Sequence, residues 1–202
     1  MVVFDSAVLT LLLWDHARSP LDPSTSKPVE RCKERMELLV HSLHKAKQTI
    51  IIPTPVVSEV LTVSAGGLRY VALLQKGTVF RIEPFDTRAA IELAEMNKTL
   101  LATGDKKGGI DAPWQKIKFD RQIAAIAKVV GAKVLYTNDG PLKTTAESVG
   151  LKVIGVHELP APVNDKDDQG DFLALLERQA AAMNEADDAK ETTPPEDEPD
   201  AG

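Results

Sequence analysis

Met1-Val2-Val3-Phe4-Asp5 opens the chain, and its reading decides the fold. A short apolar run of strand-forming residues fits a strand buried on both faces, the setting of a central strand in a parallel sheet. The run ends in a carboxylate. Ligands of open parallel sheets bind outside the carboxyl ends of the strands, so Asp5 stands where such a sheet places its chemistry.

Three further acids have comparable settings. Glu59 follows the β-rich run TIIIP (49–53) and falls among Pro55, Val56, Val57, Val60 and Leu61. That company reads as a mostly buried helix, and buried glutamate is rare unless paired. Asp120 opens the helical stretch DRQIAAIAKVV (120–130), and Asp139 ends the strand-like KVLYTND (133–139). Each has an ordinary reading too. Asp5 could be a turn or cap residue, Asp120 a plain helix N-cap, and Asp139, before Gly140-Pro141, part of a turn. Taken together on a doubly wound sheet, all four point into one cleft. Carboxylates a few ångströms apart repel one another. A divalent cation removes that conflict, and ligation by oxygen alone suits Mg²⁺ or Mn²⁺.

The rest of the chain alternates strand and helix. A helix over residues 6–14 leads into a Pro- and Ser-rich surface loop over 15–30. A helix spans about 28–47, and a second strand lies near 50–53. Thr54 and Pro55 suit the start of the next helix, which runs to the stop at Gly66-Gly67. A short helix over 68–75 precedes a third strand at 78–83. Asp86 or Thr87 caps a helix reaching about residue 101. Residues 103–118 read as a loop with Lys106, Lys107, Lys116, Lys118 and Trp114. Gly131 stops the helix from Asp120, a fourth strand covers 133–137, and a helix over 141–149 ends at Gly150. A fifth strand covers 151–156. This order predicts a three-layer α/β/α fold around a parallel sheet of about five strands.

VVFDSAVL, PTPVVSEVL, FDRQIAAIA and LYTNDGPL, in that order, resemble the PIN domain of metal-dependent ribonucleases, including VapC-like toxins. The resemblance covers roughly residues 1–160 and implies strand order 3-2-1-4-5, with Asp5 and Asp139 flanking the crevice where the order reverses. It implies hydrolysis of phosphodiester bonds in single-stranded or loop RNA. Asp5, Asp120 and Asp139 would be direct or water-bridged ligands of Mg²⁺ or Mn²⁺. Glu59 would be a ligand or a base orienting water, and Thr137 and Asn138 would hold the site loop and the phosphate. It further implies a homodimer and an antitoxin partner. Two places depart from the family pattern. Ser6-Ala7 stands where many members carry Thr-Asn, and Pro141-Leu142 where many carry a second acid followed by Phe. The first departure keeps open a catalytically weak RNA- or protein-binding module on the same scaffold. The second weakens the case for a tightly held second ion.

Charge is divided unevenly. The whole chain carries −6, yet residues 163–202 hold 13 acids against 3 basic residues, leaving residues 1–162 with 21 basic and 17 acidic. The folded part is therefore mildly basic, compatible with a phosphate-bearing substrate. Lysines of the 103–118 loop contact phosphates and an indole stacks on unpaired bases in such sites. Lys118 and Arg121, which flank Asp120, are the sharpest candidates for substrate contact. Residues 1–160 read as the nuclease-like domain and 161–184 as a linker and amphipathic helix with Phe172, Leu176 and Met183 on one face. Residues 185–202 read as an acidic disordered tail.

Other classes are excluded by residue. A single cysteine, Cys32, permits no internal disulfide, and no basic, apolar leader precedes the first strand; both lead to the expectation of a reducing cytoplasm. No apolar run is long enough to span a bilayer, so no membrane partner is expected. The four histidines show no metal-ligand spacing beside cysteines. Ala7 stands where an aspartyl-phosphate phosphatase needs its second Asp, and no Gly-rich turn follows the first strand as dinucleotide binding requires.

Overall fold

The computed structural model describes residues 1–14, 16–63 and 67–162. The expected helix and tail beyond residue 162 lie outside the described residues.

Five short strands form one all-parallel sheet in the order β3-β2-β1-β4-β5, as expected: β1 (Val2–Phe4), β2 (Ile50–Pro53), β3 (Phe80–Glu83), β4 (Val134–Tyr136) and β5 (Lys152–Ile154). β1 is central, with Val3 opposite Ile51 on one side and Leu135 on the other. These three apolar anchors, and Phe4, are fully buried. The unbroken hydrophobic runs of β1 and β2 follow from that covering on both faces.

Seven helices cover the sheet among the described residues. α1 (Ser6–Leu13) packs on α2 (Cys32–Lys45) and α3 (Thr54–Val63), and α3 packs on α4 (Gly67–Lys76). α6 (Trp114–Val129) lies between α5 (Thr87–Ala102) and α7 (Gly140–Ser148). Right-handed crossovers put the first set on one face and the second on the other, giving three layers. In the region expected to be a surface loop before α2, Leu21 and Pro28 form an isolated antiparallel bridge. Val29, just beyond it, is buried in the core.

Helix ends follow their local chemistry. Asp86 caps α5, its carboxylate accepting from the Ala89 N–H at 2.9 Å. α6 and α7 each end two residues before a glycine with positive φ, Gly131 at 70° and Gly150 at 84°. The residue after each glycine donates back into the helix, Ala132 to the Ala127 carbonyl and Leu151 to the Ala146 carbonyl. Both are paired-bond stops that a glycine allows at no steric cost.

One boundary differs in a way that matters. α6 begins at Trp114, after Pro113, and Asp120 lies in its second turn, so Asp120 is no N-cap and residues 114–118 are not loop.

Ile51→Ala should cost about 2–5 kcal/mol in chemical denaturation, because Ile51 is fully buried between β1 and β3. A loss under about 1 kcal/mol would mean the sheet is not covered on both faces.

Candidate metal centre

The register of β1 on β4 sets the centre. Phe4 pairs with Tyr136, so the residues that follow, Asp5 and Thr137, leave the sheet side by side at its carboxyl edge. This is where strand order reverses, between β1 and β4.

Asp5 is buried and doubly held. One carboxylate oxygen accepts the Val8 N–H at 2.7 Å, which makes Asp5 the N-cap of α1. The other accepts the hydroxyl of buried Thr137. The Thr137 oxygen in turn accepts the backbone N–H of Asp139 at 2.9 Å. One threonine thus fixes the first acid and the loop of the last. Asp139 caps α7, accepting the Leu142 N–H at 2.9 Å through Oδ1. Its Oδ2 is free of that duty and lies 3.0 Å from Lys116 Nζ.

Asp120 reaches the same place from α6. It is buried, with Oδ1 3.4 Å from the same Lys116 nitrogen, and its Oδ2 is buried with no hydrogen-bond partner. Lys116 and Asp120 are one helical turn apart, which puts them on one face of α6. Asp5, Asp120 and Asp139 therefore meet in one cleft.

Glu59, on α3, is within electrostatic reach of Asp5 and Asp120. It is exposed, which corrects the expectation of a buried acid. α3 turns Val56 and Val60 inward and leaves Leu61 and Val63 outward, so its apolar run is not matched by burial on all sides. Glu59 lines an open cavity of about 650 Å³ with Ser6, Ala7, Arg18 and Phe119. Its charge still reaches the site, adding to the repulsion on both Asp5 and Asp120.

The electrostatics follow from this packing. Burial pushes the Asp5 carboxyl up to about 7, against the pull of its bonds from Thr137 and Val8 and helped by the charges of Asp139 and Glu59. Burial likewise pushes Asp120 up to about 6, with Lys116 drawing it down and Asp139 and Glu59 raising it. Desolvation would lower Lys116, but its bond and charge contacts with Asp139 and Asp120 outweigh that and hold the ammonium above its ordinary range.

The other expected residues divide. Asn138 ties its loop to the next turn, its Oδ1 accepting the Val156 N–H at 3.0 Å. Arg121, expected at the substrate, is buried instead. Its guanidinium donates to Asn97 Oδ1 at 2.9 Å and to the Lys106 carbonyl at 2.7 Å. It also lies 5.4 Å from the centre of the Trp114 ring, as does the Lys106 ammonium. Arg121 and Trp114 therefore pin the lysine loop to α5 and α6, and the guanidinium is engaged in that packing. Lys118 is exposed, but it lies about 200° round α6 from Lys116 and Asp120, so it points away from the cleft. Lys116, placed in a loop by the sequence, is the cation between Asp120 and Asp139.

Four carboxylates supply oxygen donors of the hardness Mg²⁺ and Mn²⁺ prefer, and the orphaned Asp120 oxygen is a buried acceptor that a cation would satisfy. Among the described residues, no three such groups are close enough to grip an ion as they stand. The residues fit such an ion by chemistry, with Lys116 between two of them.

Scanned against protein-family models and curated proteins, the sequence matches none. Among solved structures, it is similar to a chain in the crystal structure of VapBC2 from Rickettsia felis bound to a DNA fragment from their promoter, with 16% identity, 77% of this chain and 98% of that chain covered, and a TM-score of 0.49. It is also similar to a chain in the crystal structure of DNA-bound VapBC from Salmonella typhimurium, with 18% identity, 77% and 97% covered, and a TM-score of 0.44. Likeness this distant assigns no role to any residue here.

The raised Asp5 carboxyl has a measurable consequence. Its ordinary value is 3.8 and its folded value about 7, so between these limits the folded state binds more protons than the unfolded one. The protonated Asp5 contributes stability that is full below about pH 4 and lost as the pH rises through 7. In ion-free buffer, the wild type should lose about 1.4 kcal/mol per pH unit relative to Asp5→Asn across this window. Urea denaturation at a series of pH values measures it; a constant difference between the two proteins would contradict it.

Proposed function

We propose that this chain is a PIN-type endoribonuclease that hydrolyses phosphodiester bonds in single-stranded or loop RNA with Mg²⁺ or Mn²⁺. The observation that carries the reading is the convergence of Asp5, Asp120 and Asp139 at the sheet's carboxyl edge, with one buried Asp120 oxygen unpartnered. Asp5, Asp120 and Asp139 would hold the ion, directly or through water. When bound, the ion supplies Lewis-acid polarisation of the phosphate and a more acidic water. Thr137 keeps Asp5 and the Asp139 loop in place. Glu59, the exposed acid of the four, would orient the attacking water and accept its proton. The mildly basic folded part favours approach of a polyanion.

The sequence resemblance extends the reading to a toxin held in check by an antitoxin protein, working in the cytoplasm as a homodimer, with residues 1–160 as the nuclease unit. No helix among the described residues is long and apolar enough to cross a membrane. A second reading, a catalytically weak RNA- or protein-binding module, is favoured by one observation: Lys116 already neutralises two of the acids.

Purified protein should cleave a stem–loop RNA in its single-stranded loop only when Mn²⁺ or Mg²⁺ is present. Asp5→Asn and Asp120→Asn should each lower the rate about 100-fold or more, with the fold retained by circular dichroism. Saturating Mn²⁺, at about 100 times its dissociation constant, should stabilise the wild type by about 2.7 kcal/mol and Asp120→Asn by much less. RNA binding without ion-dependent cleavage would decide for the binding module. Equal cleavage by wild type and variants would assign the activity to something other than this cleft.

A further inference from the structure

We propose that Lys116 is a resident competitor for the cation site: its ammonium holds Asp120 and Asp139 together in the ion-free protein and must leave them before a divalent ion enters. The inference rests on the metal-dependent reading above and adds to it how the site is loaded.

The geometry is that of a cation in place. One nitrogen lies 3.0 Å from Asp139 Oδ2 and 3.4 Å from Asp120 Oδ1, so a single positive charge bridges two acids from different elements. The position has no other evident support. Lys116 is the third residue of α6, where the helix dipole disfavours a positive side chain. The two carboxylates offset that cost. An ammonium and a divalent ion cannot both take the same two oxygens, because Mg²⁺ and Mn²⁺ need close oxygen ligands and like charges that near repel. Lysine also suits a temporary tenant. Its charge is a point on a flexible four-carbon stem, with no planar fork to lock it to a carboxylate. Lys116 is half exposed, so solvent is open to the ammonium once it leaves. Its presence also accounts for why no three acids close on one point among the described residues: Asp120 and Asp139 are spaced to accept a nitrogen between them.

The test uses the full chain without RNA and titrates Mn²⁺ by isothermal calorimetry. Lys116→Met keeps the stem and removes the charge; it should bind Mn²⁺ about tenfold more tightly than the wild type. Lys116→Arg keeps the charge and should bind no more tightly than the wild type. In ion-free buffer Lys116→Met should melt below the wild type, because Asp120 and Asp139 lose their counter-charge, and Mn²⁺ should close that gap. Wild type that takes up Mn²⁺, with Lys116→Met binding equally or more weakly, overturns this inference and leaves the nuclease reading standing. Wild type and both variants that all ignore Mn²⁺ overturn both.

Discussion

A carboxylate sealed inside the sheet edge is the constraint from which the rest of the structure follows. Asp5 leaves a fully buried strand and stays within the protein. A buried charge is costly unless it is bonded and balanced. The chain meets that cost locally with the start of α1 and at long range with Thr137, 132 residues away. Because Thr137 also accepts from Asp139, the same device that steadies the first acid fixes the last. The register of β1 on β4 is therefore a condition of the cleft as much as of the sheet.

The capping and functional readings of these acids turn out to be compatible. Asp5 and Asp139 are each helix N-caps, as an unremarkable aspartate at a strand end would be. A cap uses one carboxylate oxygen. For Asp139 the second oxygen faces the cleft, and capping then fixes the direction in which that oxygen points. Asp120 has no capping duty, and it is the acid left with an unpartnered oxygen.

The sheet was legible because its evidence is local. Apolar runs of three or four residues, a capping Asp86 and the stops at Gly131 and Gly150 each carry their structure within a few positions. Sequence order, read with a family pattern, brought Asp5, Asp120 and Asp139 to one place. What failed was the start of α6. Asp120 looks like an N-cap, and α6 has no side-chain cap at its true beginning, where Pro113 precedes Trp114. With the helix started late, the Lys116–Asp120 spacing went unread, and Lys116 was left among loop lysines. Arg121 could not have been read either. Its partners, Asn97 and the Lys106 carbonyl, come together only through the packing of α5 on α6. Glu59 misled for the opposite reason, since a hydrophobic neighbourhood in sequence says nothing of which helix face a residue occupies.

The glycine stops at Gly131 and Gly150 have a consequence for adaptation at the cleft. Each sits in a link of four residues or fewer between a helix and the following strand, and two backbone bonds close the turn. Asp120 and Asp139 thus ride on a tightly jointed half of the molecule. Changes in the spacing of these two acids therefore fall first to torsions about their side-chain bonds.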